Sequence, residues 1–165
     1  MMYMEKSKLS IKSKQILSVA FLVLSVLFFV FLIAFKDKLT QIASGLVKAK
    51  PGSEIQNSES TFVDSAYNYS KNGLSYEMTF LEFGAKGCSA CKRMESVMSD
   101  VRAKYPNRVN VVFLNVMLPE NQRLMKYFGI AAIPTQVLLN KEGKEFFRHT
   151  GYYSTEYLIR QIEKK

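Results

Sequence analysis

The chain has 165 residues, two cysteines, no tryptophan and a formal net charge of +9, which suits one domain plus an additional segment. The charge is spread rather than clustered, with four lysines and one glutamate in residues 1–35, near balance in 36–62, and the rest over 63–165. Nucleic-acid binding calls for a concentrated basic stripe with interleaved aromatics, so no nucleic-acid partner is expected, and a mildly basic surface beside an anionic membrane accounts for the sign.

Residues 16–35 (ILSVAFLVLSVLFFVFLIAF) form an uncharged run of about the length that crosses a hydrocarbon core of roughly 30 Å. A buried core helix would keep a polar stripe, whereas this run is apolar all round. A cleaved signal peptide has a shorter apolar core and a small-x-small site; here Lys36-Asp37-Lys38 follows directly. The expectation is one uncleaved transmembrane anchor at 16–35, preceded by a short cytoplasmic N-terminus at 1–15. Lys6, Lys8, Lys12 and Lys14 before the helix balance Lys36, Lys38, Lys48 and Lys50 after it, so counting basic residues does not orient it. A short basic N-terminus ahead of a single helix behaves as a signal anchor, and long following domains translocate regardless of charge. That places the C-terminal domain outside the cytoplasm.

Residues 36–61 read as a linker. The first half can extend the helix beyond the membrane surface, and the polar second half, headed by Pro51-Gly52, reads as flexible. A folded domain is expected over 62–165. It begins with a helix over 64–72 that ends at Gly73, then a buried strand over 78–84. Met94, Val97, Met98 and Val101 recur at helical spacing within 89–104, the stripe of an amphipathic helix. A second strand covers 109–116, and a helix over 120–128 has Pro119 at its start and Gly129 after its end. Strands at 135–139 and 144–149 form a hairpin across Asn140-Lys141-Glu142-Gly143. The last helix, 155–163, has Ser154 as its expected N-cap. Strands separated by helices and closed by a hairpin imply an α/β fold, a mixed sheet with helices on both faces.

The chemistry concentrates at Cys88-Ser89-Ala90-Cys91. Cysteines at i and i+3 of a helix start lie one turn apart, roughly 5–6 Å between Cα atoms, within disulfide range. With no other cysteine in the chain, the pair acts on itself or on another molecule's thiols. A structural zinc site takes four ligands; Cys88, Cys91 and His149 fall short, so no metal is expected. Beyond the Cys88–Cys91 disulfide itself, no cofactor is expected.

With Gly129-Ile130-Ala131-Ala132-Ile133-Pro134-Thr135 downstream and Gly151 after the last strand, residues 62–165 resemble a thioredoxin domain. The resemblance implies a thioredoxin-like sheet with the Cys-x-x-Cys at a strand-to-helix junction, a cis peptide bond before Pro134, and a peptide substrate pairing with the backbone of Ile133. It implies Cys88 as nucleophile, favoured as thiolate by the helix N-terminus and by Lys86, Lys92 and Arg93, and Cys91 as resolving thiol. Glu82 stands where the family keeps a buried aspartate proposed to take the resolving cysteine's proton; its ordinary alternative is to reach solvent or pair with a lysine. LEFGAKGC, IPTQV and KEGKEFFRHTG resemble bacterial members that work with a cytochrome c biogenesis-type transmembrane thiol transporter (the DsbD/CcdA type). The implied function is a membrane-anchored thiol–disulfide oxidoreductase of the bacterial cytoplasmic membrane, reducing protein disulfides. Two readings stay open beside it: an oxidase using the same site, and a tethered binding module without turnover. The chain departs from the family at Gly87, where a tryptophan is usual, in its Ser89-Ala90 dipeptide, and at Phe113, where many members carry lysine. A reduction potential therefore does not carry over.

Overall fold

The computed structural model describes the backbone of residues 2–165 and the side chains of 16–36 and 38–165; the side chains of Lys6, Lys8, Lys12 and Lys14 lie outside the described residues. The chain divides into two units, Met1–Leu39 and Thr40–Lys165. In the first, helix α1 runs Met2–Ala34. Its segment Ile16–Ala34 is long and apolar enough to cross a membrane, and none of it is buried within the protein. At ~1.5 Å per residue such a segment matches a bilayer's apolar thickness. Helix α2, Lys36–Val47, follows after a break at Phe35.

The second unit is built on a four-stranded sheet. Strand β1 (Met78–Gly84) lies inside it, parallel to β2 (Val109–Asn115) and antiparallel to β3 (Thr135–Leu139), which carries β4 (Glu145–Thr150) on its outer side, in the order β2-β1-β3-β4. Because side chains alternate along a strand, β1 sorts its residues onto two cores. Leu81 and Phe83 join Leu114, Val137 and Leu139 beneath helices α3 (Glu54–Tyr67) and α6 (Pro119–Phe128). Met78 and Phe80 join Val109 and Leu138 beneath α5 (Ser89–Lys104) and α7 (Thr155–Glu163), where Met94, Val97, Met98 and Val101 form the stripe that the spacing predicts. Every residue of β1 is buried, and full burial of side chains such as Phe80 or Leu81 is worth about 1.5–3 kcal/mol each. The mixed sheet with helices on both faces is the expected architecture.

The segment read as a flexible linker needs correcting. Helix α3 begins at Glu54, well inside 36–61, because Ser53 caps it: the Ser53 hydroxyl oxygen accepts from the Gln56 N–H at 3.2 Å. Ser53 and Gln56 have the S-x-x-Q spacing of a capping box, of which this half forms, and the helix then buries Val63 and Tyr67. The helix expected over 64–72 is in turn broken at Asn68, whose side chain donates to Asp64 at 2.7 Å while its backbone bridges to Glu142. A short α4 (Tyr69–Asn72) completes it, ending at Gly73. Ser154 occupies the N-cap of α7 but makes no side-chain capping bond.

Candidate active site

The C-terminal end of β1 positions the two cysteines. The chain leaves Gly84, turns through Gly87 at φ +89°, and enters α5 with Cys88 as the N-cap. A tryptophan at Gly87 would have to adopt a left-handed backbone that side-chain-bearing residues avoid, so this turn is built for glycine. The Cys88 sulfur accepts from the Cys91 N–H at 3.1 Å, the geometry of a capping side chain with sulfur in place of oxygen. Unpaired N–H groups and the helix dipole favour negative charge at that sulfur. Cys88 and Cys91 are joined by a disulfide with Cα atoms 5.2 Å apart. Cys91 is only 4 % exposed, whereas Cys88 is half-buried, so Cys88 is the more accessible of the two. Ser89 is exposed and Ala90 half-buried between them. Lys86, Lys92 and Arg93 are all exposed, and the Arg93 guanidinium lies 5.0 Å from the centre of the Tyr152 ring.

The floor beneath Cys91 is close-packed. A Cβ added at Gly84 would come within 2.9 Å of the Phe113 ring and 3.4 Å of the Cys91 Cβ. Glu82 lies two residues earlier on β1, on the same face, and is fully buried. Its register partners are Phe113 on β2 and Gln136 on β3. Among the described residues, its carboxyl has one hydrogen bond, from the Gln136 Nε2 to Oε1 at 3.5 Å, and Oε2 has none. It does not reach solvent, and among the described residues it pairs with no lysine. Burial lifts the Glu82 carboxyl from its ordinary 4.5 to about 8, with the Gln136 amide pulling weakly the other way.

The Ile133–Pro134 peptide bond is cis. Pro134 is buried, Ile133 half-buried, and Ala131 and Ala132 exposed. The Pro134 carbonyl accepts from the Gly151 N–H at 2.8 Å, and the Thr135 hydroxyl donates to the Ala132 carbonyl at 2.8 Å. Since Phe83 pairs with Thr135 across the antiparallel β1–β3 ladder, the segment before Thr135 lies at the end of the sheet from which the Cys88 turn departs. The site therefore draws on the end of β1, the start of α5 and the entry to β3.

A family model for the thioredoxin-like domain matches residues 64–165. The chain belongs to the thioredoxin-like domain family. It is 29 % identical over 84 residues to the thioredoxin-like protein HCF164 of Arabidopsis thaliana chloroplasts, a match covering 51 % of this chain and 32 % of that protein. It is 30 % identical over 87 residues to the thioredoxin of Chlamydia trachomatis, covering 53 % and 81 %. The match thus spans about a third of the length of the chloroplast relative and most of the bacterial one. A solved structure of thioredoxin-2, described as a component of malaria parasite protein secretion machinery, superposes with a TM-score of 0.50 at 26 % identity, over 54 % of this chain and 84 % of that one.

Three features of the site escape sequence reading. Gln136 is a lone amide in an otherwise apolar strand interior, a signal present in TQVLL that becomes meaningful only when the register sets it opposite Glu82. The close approach of Gly84, Phe113 and Cys91 involves residues distant in sequence, and so does the stacking of Arg93 on Tyr152. Among the described residues no cluster of His, Cys, Asp and Glu is arranged to hold a metal ion.

Proposed function

We propose that the chain is a membrane-anchored thiol–disulfide oxidoreductase that reduces protein disulfides on the extracytoplasmic side of the bacterial cytoplasmic membrane. The observation that carries this reading is the asymmetric Cys88–Cys91 disulfide at the N-terminus of α5, with the accessible sulfur in the capping position. In the reduced protein the Cys88 thiolate attacks one sulfur of a substrate disulfide. The substrate S–S bond breaks, a mixed disulfide forms at Cys88, and the released substrate thiolate takes a proton from solvent. Cys91 then gives its proton to the Glu82 carboxylate and attacks the Cys88 sulfur. The Cys88–substrate bond breaks and the Cys88–Cys91 disulfide closes. Two electrons pass from the dithiol to the substrate.

A Glu82 carboxyl lifted by burial to about 8 is a far better proton acceptor than an exposed carboxylate, which suits it to take a proton from a thiol. The exposed residues Ala131 and Ala132 next to Ile133 leave room for an extended substrate peptide to pair alongside this segment. An extracytoplasmic reductase must itself be re-reduced, and a transmembrane dithiol carrier of the cytochrome c biogenesis type suits that need. The apolar α1 segment supports the anchoring, and the short basic stretch before it supports a cytoplasmic N-terminus.

The test is trapping. Cys91→Ala in the full chain should accumulate mixed disulfides through Cys88 in cells, and Cys88→Ser should abolish both trapping and the reduction of a model protein disulfide. A purified protein poised at about −200 mV or lower fits a reductant, and a value near about −120 mV makes it an oxidase. Absence of any Cys88-dependent turnover refutes the enzyme.

A further inference from the structure

We propose that Gln136 is the positioning residue for Glu82: its amide anchors one carboxyl oxygen, Oε1, and leaves Oε2 as the atom that takes the proton from Cys91. The inference rests on the dithiol reading above and adds a residue to it. Glu82 and Gln136 are both fully buried, and as register partners on adjacent antiparallel strands they have Cβ atoms about 4.5–5.5 Å apart. The Gln136 Nε2 donates to Oε1 at 3.5 Å, and neither Glu82 Oε2 nor Gln136 Oε1 has a partner among the described residues. A buried polar pair of this kind is costly unless its members hold each other. Replacing both by apolar residues would relieve that cost, so what the pair retains is a carboxyl with one end fixed.

The surroundings leave Gln136 without a substitute. On β2 the register partner of Glu82 is Phe113, an aromatic residue where a cation could have held the carboxylate. On this side of the sheet α5 contributes Met94, α7 contributes Leu158 and Ile162, and Cys91 is buried at the start of α5. Beyond Gln136 the same cross-strand row continues to His149 on β4, half-buried and stacked on Tyr153 with ring centroids 4.3 Å apart. Among the described residues the titratable groups packed on this face are His149, Tyr153 and Tyr105, joined by the Cys88–Cys91 pair once it is reduced, and the neutral amide stands between the imidazole and the carboxyl. In the resolving step the proton passes from the Cys91 sulfur to Glu82 Oε2. The freed electron pair forms the Cys91–Cys88 bond, and the Cys88–substrate sulfur bond breaks to release a substrate thiolate. An N–H donor on Oε1 favours the carboxylate that accepts this proton. Without it the carboxyl stays neutral to higher pH and is a poorer acceptor near neutrality.

The experiment uses the full chain in detergent micelles, labelled with ¹³C at the glutamate carboxyls, with the Glu82 resonance identified by its loss in Glu82→Gln. Gln136→Met keeps the volume and removes the donor; Gln136→Asn keeps an amide but shortens its reach. In both variants the Glu82 titration midpoint should rise by roughly half to one pH unit, with the inflexion of the pH–rate profile for reduction of a model disulfide moving alongside it. In a Glu82→Gln background, Gln136→Met should leave the profile unchanged, and His149→Asn should leave the Glu82 midpoint in place. A midpoint that stays put in Gln136→Met and Gln136→Asn overturns the proposal. A midpoint that moves while the rate inflexion does not confines Gln136 to a static contact and overturns its role in the redox step. A wild-type chain without Cys88-dependent turnover overturns the dithiol reading itself, and is told apart from the other failures because the titration is read independently of activity.

Discussion

Glu82 makes a strong prediction about stability and pH. In the unfolded chain its carboxyl titrates near its ordinary 4.5, and in the folded protein at about 8, because burial disfavours the charge. Between those values the folded state holds a proton that the unfolded state has released, so stability falls as pH rises. Below about 4.5 both states are protonated and the full stability is present; above about 8 both are ionised and the loss is complete. At about 1.4 kcal/mol per pH unit, the gap corresponds to roughly 5 kcal/mol across the window, a large part of an ordinary domain's stability. Other shifted groups act elsewhere. Asp64 and Glu163 are lowered by side-chain hydrogen bonds, chiefly from Lys71 and Tyr105 respectively, so their effect is lost only as pH falls through the acid range. Tyr67 and Tyr127, raised chiefly by burial, act only in the alkaline range. Urea titrations of the oxidised full chain in mild detergent, followed by the near-ultraviolet dichroism of its tyrosines, should give midpoints that fall steadily from pH 5 to pH 8. Glu82→Gln, which cannot ionise, should flatten the dependence and overtake the wild type toward pH 8. Parallel pH dependence in the two proteins would refute the argument.

Two glycines give a matched pair of further predictions. Gly84→Ala meets the Phe113 ring at 2.9 Å, the far end of a side chain on a residue that is 39 % exposed, so the cost should be about 1 kcal/mol, largely recovered by adding Phe113→Leu, as read from urea midpoints. Gly129→Ala meets the Ser44 carbonyl at 2.5 Å with φ at +63°, a backbone neighbour that cannot rotate away. It should cost more, about 2 kcal/mol or above, and speed hydrogen exchange at the Ala49 amide, which donates to the Lys126 carbonyl at 2.9 Å. Equal costs for the two substitutions would contradict the distinction between a movable ring and a fixed backbone.

Much of this protein is local and therefore legible in its residues. An uncharged run at 16–35 announces a helix long and apolar enough to cross a membrane because hydropathy is additive along a helix, and Met94, Val97, Met98 and Val101 announce the buried stripe of α5 because side chains return every turn. Cys88 and Cys91 are bound to meet wherever a helix begins, since their spacing is one turn. The start of α3 was legible too, in Ser53 and Gln56, but the polar composition of its neighbours outweighed that signal. The tertiary structure decided what depends on register. Only the antiparallel pairing of β1 with β3 sets Gln136 against Glu82, only the parallel pairing with β2 brings Phe113 over Gly84 beside Cys91, and only complete burial raises a glutamate into the range of a thiol. A carboxyl's chemistry is set by what surrounds it, and those surroundings come from strands more than 25 residues away in the chain. The cysteine pair was written in four consecutive residues; the environment that lifts the Glu82 carboxyl exists only once the sheet has closed over it.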